Sequence, residues 1–274
     1  MFPSFSGVPA DKPLSPRASP VPCKNQAQTE RLSGIGLACR LAYQHEVPTN
    51  MSFAFPPAPV IAIPAMSSKP FPARHIYCVG GNYATGEKGD AEHARPFFFM
   101  KPALSILPNN AVMPYPPCTA DLHAEVGLVV ALNLGGREIP EQQANDYIFG
   151  YCVGLDMTRH DLQTAAKDQG LPWDMSKSFD CSTPMSAITP EFYAGIIAKG
   201  KIELKVNGAV RQSGNIGEMI WTVPQIISNL SKLVELHAGD LIFTGTPVGV
   251  GSVASGDHLE GTVAGLEPLL ITIK

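Results

Sequence analysis

The stretch Asp121-Leu122-His123-Ala124-Glu125-Val126-Gly127-Leu128-Val129-Val130-Ala131-Leu132 decides how this chain is read. It begins with an acid, an imidazole and a carboxylate, and it ends as an apolar run rich in β-formers. In a strand, alternate side chains share a face, so His123, Glu125 and position 127 point the same way. A His and a carboxylate so placed can hold a divalent cation. Position 127, where a third ligand would stand, is glycine.

The 274 residues provide enough chain for a substantial core, as one large domain or two small ones. Charged residues make up 16% and the formal net charge is −4, without a basic stretch, which argues against nucleic acid and anionic membranes as partners. No apolar run reaches the roughly 18 residues of a membrane helix. The six cysteines include no CxxC pair, and Cys78 and Cys152 sit in apolar strand-like runs; they read as reduced core residues of a cytoplasmic protein.

Residues 1–50 differ from the rest. Six prolines fall within the first 22 positions and no apolar period is visible, so the expectation is a poorly ordered extension, with a short helix over 29–46. Met51 begins a segment that reads as a natural N-terminus, and 51–274 reads as one domain. Ile76–Gly80 and Phe97–Pro102 are buried strands, and the small and charged residues between them read as a mobile loop or short helix. Ile148–Leu155 is a strand that delivers Asp156 at its end, after which Asp156–Gln163 enters a helix. Asn207-Gly208 marks a hairpin. Val223–Leu236 has helical spacing opened by Thr222 and Pro224, and residues 257–274 read as two closing strands. Many short strands and few short helices give an α+β, β-rich fold.

Glu125 and Asp156 are carboxylates flanked by apolar residues. Burial there is costly unless they are paired or bound to metal, and Lys101, Arg159 or Lys177 could reach them. Asp156 also fits a helix N-cap. Thr244-Gly245-Thr246-Pro247 is either a strand-end turn or a presentation of Thr246 and backbone N–H groups to an anion.

Taken together, these strings resemble the fumarylacetoacetate hydrolase family, especially its fumarylpyruvate hydrolase-like members. The carrying motifs are Ile76–Gly80 with Asn82-Tyr83-Ala84, Phe97–Pro102, Leu122-His123 with Glu125, Gly150–Gln163, Lys177 with Phe179-Asp180, and Gly239–Gly251. The resemblance covers roughly 51–274. It implies a mixed β-roll, a homodimer, and Mg²⁺ or Mn²⁺ held by Glu125 and Asp156. It assigns catalysis to Lys177, and contacts with a small oxo-acid substrate to Arg159, Gln163, Gly245 and Thr246. The expected reaction is hydrolytic C–C cleavage of a 1,3-diketo acid such as fumarylpyruvate, a step in the breakdown of aromatic compounds.

Two departures stand out. The family's second metal-binding Glu falls on Gly127, and its lid Arg, His and Glu fall on Gly81, Gly86 and Gly89. His123 could complete the metal site or act as a hydrogen-bond partner behind it. Glu92 and His93 could replace the lid pair, with Glu87 nearby, or be solvated loop residues. Alternative functions are tautomerisation or decarboxylation of an oxo acid, or a catalytically impaired protein with a binding role.

Overall fold

In the computed structural model, residues 53–83 and 95–274 are described. The readings made for residues 1–50, for Glu87, Glu92 and His93, and for Gly86 and Gly89 lie outside these residues. The chain divides between Pro57 and Ala58, and the unit Ala58–Lys274 carries the described strands and helices.

Its strands, in chain order, are β1 (Ile61–Ile63), β2 (Phe71–Ala73), β3 (His75–Gly80), β4 (Phe97–Pro102), β5 (Ile106–Pro108), β6 (Val112–Met113), β7 (Leu122–Leu132) and β8 (Ile148–Arg159). They continue with β9 (Thr183–Met185), β10 (Thr189–Pro190), β11 (Lys201–Val206), β12 (Ala209–Asn215), β13 (Leu241–Phe243), β14 (Gly251–Val253), β15 (His258–Val263) and β16 (Leu269–Ile273). A nine-stranded sheet runs β4-β3-β13-β7-β8-β9-β5, with β10 on β8 and β14 on β7. A five-stranded sheet runs β12-β11-β15-β16-β6. The fold is mostly β, with a few short helices.

The antiparallel pair β7–β8 is the spine. In β7 the apolar residues alternate with His123 and Glu125 as far as Val126, and from there the strand is buried on both faces. On one face Leu122, Ala124, Val126, Leu155 and Met157 join Leu204, Leu259 and Ile271 of the five-stranded sheet in the larger core. The opposite face continues past Glu125 and Gly127 as Val129 and Ala131, in a smaller core with Cys78, Cys152 and Phe243. Cys78 and Cys152 are buried free thiols.

Asp156 does not cap a helix. β8 runs on to Arg159, because Asp156–Arg159 keep their pairing with Leu122–Glu125, and helix His160–Asp168 begins only beyond it. The Asn207-Gly208 turn has positive φ at both residues, the backbone that an antiparallel two-residue hairpin favours. Helix Val223–Leu233 starts with a Thr222–Gln225 capping box, as Thr222 and Pro224 suggest, but stops short of Leu236. There Leu236 exchanges backbone hydrogen bonds with Gly136.

Candidate active site

The β7–β8 register sets three pairs on one face: His123 opposite Thr158, Glu125 opposite Asp156, and Gly127 opposite Gly154. Like charges directly opposite one another destabilise a sheet. Here a buried ammonium compensates. Helix Asp174–Lys177 delivers Lys177, whose Nζ donates to Glu125 Oε1 and Asp156 Oδ2, both at 2.7 Å, and to Thr158 Oγ1 at 2.6 Å. Thr158 in turn donates to Glu125 Oε1 at 2.8 Å. From β4, Lys101 Nζ donates to Asp156 Oδ1 at 2.8 Å and to the Met157 and Lys177 carbonyls.

Both lysines are almost wholly buried, at 0% and 4% side-chain exposure, so each must have a partner. Burial alone would depress the Lys177 pKa, but Asp156 and then Glu125 outweigh it and hold the ammonium above the ordinary lysine range. Burial would likewise raise Asp156, yet Lys101 and Lys177 keep its carboxyl below the usual range. Lys177 is therefore held as a fixed positive charge between the two carboxylates. Two ammonium groups and two carboxylates leave the cluster without net charge.

This cluster forms one wall of a cavity of about 560 Å³, within the size range of small-molecule sites. His123, Glu125, Asp156, Lys177, Gln163, Gly245 and Thr246 all line it, so most of the residues singled out in the sequence converge. Gln212 Nε2 donates to Thr246 Oγ1 at 2.8 Å and orients it. Arg159 is not part of the lining; its guanidinium stacks on the Phe179 ring at 4.5 Å. The neighbouring His160 lines the cavity instead.

His160 and His123 stack at 4.0 Å and share Asp121, His160 through Nδ1 at 2.9 Å and His123 through Nε2 at 3.0 Å. Ser252 also donates to this carboxylate. Burial, followed by the nearby His160, lowers the His123 pKa and favours its neutral ring. Among the described residues, ligand atoms within 4.8 Å of one another gather Asp121, His123 and His160, and separately His75, His237 and Asp240; Glu125 and Asp156 join neither group.

Gly127 has its own physical reason. A Cβ there would sit 2.9 Å from the Gly245 carbonyl oxygen, so the loop after β13 occupies the space of a side chain. Opposite it, a Cβ on Gly154 would meet the Phe243 ring at 2.5 Å.

Thr158, Asp121, His160 and Gln212 were not singled out from the sequence as site residues. Thr158 was within reach, since it stands two positions after Asp156 on the same strand face. Nothing local marks Gln212, which arrives from the other sheet.

The sequence profile of the fumarylacetoacetate (FAA) hydrolase C-terminal family matches residues 75–274. This chain belongs to the fumarylacetoacetate hydrolase family. It is 40% identical to a fumarylpyruvate hydrolase of Ralstonia sp over 188 residues, 69% of this chain and 97% of the relative. It is also 40% identical to the mitochondrial oxaloacetate tautomerase of Homo sapiens over 203 residues, 73% of this chain and 92% of the relative. Among solved structures, it superposes on the fumarylpyruvate hydrolase of Pseudomonas aeruginosa in complex with Mn²⁺ and pyruvate, with a TM-score of 0.78 and 40% identity. That match covers 81% of this chain and 99% of the other.

Proposed function

We propose that this family member is a metal-dependent hydrolase that cleaves a C–C bond in a 1,3-diketo acid, fumarylpyruvate or another acylpyruvate. The observation that carries this reading is the Glu125–Lys177–Asp156 cluster on the wall of a cavity that also presents an imidazole backed by a carboxylate, His160 with Asp121.

The donor chemistry fits a hard cation. Glu125 and Asp156 are oxygen donors on adjacent strands beside the cavity, the type that holds Mg²⁺ or Mn²⁺. Bound there, the ion would polarise the 2-oxo acid end of the substrate as a Lewis acid. Gln163 and Thr246 reach the carboxylate and oxo groups. His160, held by Asp121 through Nδ1, keeps Nε2 to accept a proton from the attacking water. Water adds to the distal carbonyl, the C–C bond electrons pass to the pyruvate enolate, the fixed charge of Lys177 stabilises the enolate oxygen, and the proton taken up by His160 returns to the enolate carbon. The products are a carboxylic acid and pyruvate. The reading includes a cytoplasmic homodimer, with which the free thiols Cys78 and Cys152 are compatible.

A second reading, an oxo-acid tautomerase or decarboxylase, is favoured by Gly81, Gly86 and Gly89 at the family's lid positions and by the similarity to the oxaloacetate tautomerase. Such chemistry needs one proton shuttle and no activated water. The test is loss of fumarylpyruvate ultraviolet absorbance with Mg²⁺ or Mn²⁺, beside enol-to-keto kinetics of oxaloacetate. Hydrolysis that His160→Gln slows by roughly 10²–10⁴-fold supports the first reading. Inertness to fumarylpyruvate with rapid ketonisation of oxaloacetate replaces it with the second.

A further inference from the structure

A second group of ligand-type side chains lies away from the cavity. Asp240, fully buried, directly precedes β13. His75 opens β3, the parallel neighbour of β13, and His237 lies in the turn closed by the Asp240 N–H on the His237 carbonyl at 3.1 Å. The two histidines address the same carboxylate. His75 donates its backbone N–H to Oδ1 at 3.3 Å and places Nδ1 2.9 Å from that atom. His237 donates its backbone N–H to Oδ2 at 2.8 Å, while its ring Nδ1 stands 4.0 Å from Oδ2.

That last distance is too long for a hydrogen bond. His237 Nδ1 is nonetheless buried, with no hydrogen-bond partner. A buried ring nitrogen left open and turned toward a pinned carboxylate requires an explanation. The ligand atoms of all three residues fall within 4.8 Å of one another. Donors bound to one ion at about 2.0–2.2 Å lie roughly 3–4 Å apart. Both imidazoles are partly exposed, at 38% and 35%, so a small ring movement closes the set and solvent can complete it.

The geometry points to a transition-metal site, of the Zn²⁺ class, formed by His75, His237 and Asp240. Two imidazoles and one carboxylate make a borderline donor set that prefers Zn²⁺, Cu²⁺ or Ni²⁺ to the hard cations suited to Glu125 and Asp156. The scaffold is pre-set. The Gly239 carbonyl accepts the Arg74 N–H at 2.8 Å, and a Cβ on Gly239 would meet the Pro72 carbonyl oxygen at 2.6 Å. The backbone N–H groups of His75 and His237 hold the carboxylate in place, as metal ligands require. The ion would pin the leading ends of β3 and β13. The trailing ends of the same strands, Val79-Gly80 and Phe243, line the cavity, about 16 Å away along β3. Its role is a staple beneath the catalytic floor.

The experiment uses the full chain, stripped with EDTA, dialysed and titrated with ZnCl₂, reading metal content and thermal midpoint. Wild type is expected to retain a Zn²⁺ that Glu125→Gln also retains and that His75→Gln/His237→Gln loses. His123→Ala controls for the cavity histidines. Saturation should raise the wild-type midpoint by on the order of 5 °C, and the double variant should not respond. Circular dichroism checks its fold. If the double variant is misfolded, His237→Gln alone should weaken Zn²⁺ binding at least tenfold. Equal zinc content and equal midpoint shifts in wild type and the His237→Gln chains would overturn the site.

Discussion

Glu125 and Asp156 are direct cross-strand partners in the β7–β8 ladder, and one ammonium, that of Lys177, stands 2.7 Å from an oxygen of each. The repulsion between the two carboxylates is thus converted into a neutral, buried cluster with Lys101. Removing one partner of such a network leaves an uncompensated charge, which costs about 3–5 kcal/mol. Lys177→Met should lower the melting temperature by on the order of 10 °C. Because it also removes the ammonium shared by Glu125 Oε1 and Asp156 Oδ2, added Mn²⁺ should stabilise the variant more than wild type. Calorimetry with and without Mn²⁺ measures both effects, and equal stabilisation of the two proteins would remove Lys177 as a competitor for the cation position.

The charge balance has a second consequence. Two carboxylates and two ammonium groups leave nothing to attract a lone dication, whereas an oxo-acid dianion arriving with it restores neutrality. Mn²⁺ affinity should therefore rise at least about tenfold in the presence of oxalate, with oxalate affinity rising by the same factor in Mn²⁺. Titration calorimetry in both orders tests this; affinities that ignore the second ligand would refute the coupling.

Acid should erode this cluster in a defined direction. Burial raises the Asp156 carboxyl, but Lys101 and Lys177 outweigh it and hold its folded pKa below the ordinary value. Its contribution to stability is full above the unfolded pKa of about 3.9, and is lost as pH falls through the lower folded value. Asp121 and Asp161, also lowered, share this acid arm, so the comparison must isolate Asp156. Lys101→Met should flatten the dependence of unfolding free energy on pH below about 4. Urea midpoints between pH 2 and pH 5 report it, and an unchanged slope would show that Lys101 does not hold Asp156.

Gly127 offers a test of the close approach of the loop after β13. With the Gly245 carbonyl oxygen 2.9 Å from its Cβ position, Gly127→Ala should destabilise by about 1–3 kcal/mol through overpacking. It should also raise KM by displacing Thr246 on the same loop. Gly127→Glu adds a ligand but moves that loop, so stronger Mn²⁺ binding should come with weaker substrate binding. Thermal melts with steady-state kinetics separate the two, and an alanine variant as stable as wild type would remove the steric argument.

Much of the fold was legible because its signals are local. The alternation that ends in an unbroken apolar run marks β7, Asn207-Gly208 marks a hairpin, and Thr222 with Pro224 marks a helix start. Asp156 was harder to place. A carboxylate followed by Thr158, Arg159, His160 and Asp161 has the local character of a helix cap, and only pairing with the start of β7 keeps it in a strand. That His160 rather than Arg159 lines the cavity is likewise set by where the strand runs. In a strand, neighbours point to opposite faces, and where the strand ends decides which of the two turns toward the cavity.

Residue types at fixed spacing along the chain specify the family, the β-rich class, and the presence of Glu125, Asp156, Lys177, Gln163 and Thr246. The tertiary structure decided their relationships. Lys177 lies between the two carboxylates, His123 turns to Asp121 and His160, and the carbonyl of Gly245 fills the space beside Gly127. Each of these depends on segments far apart in the chain meeting at distances of a few ångströms. Register, strand length and packing set those distances, and no local pattern encodes them.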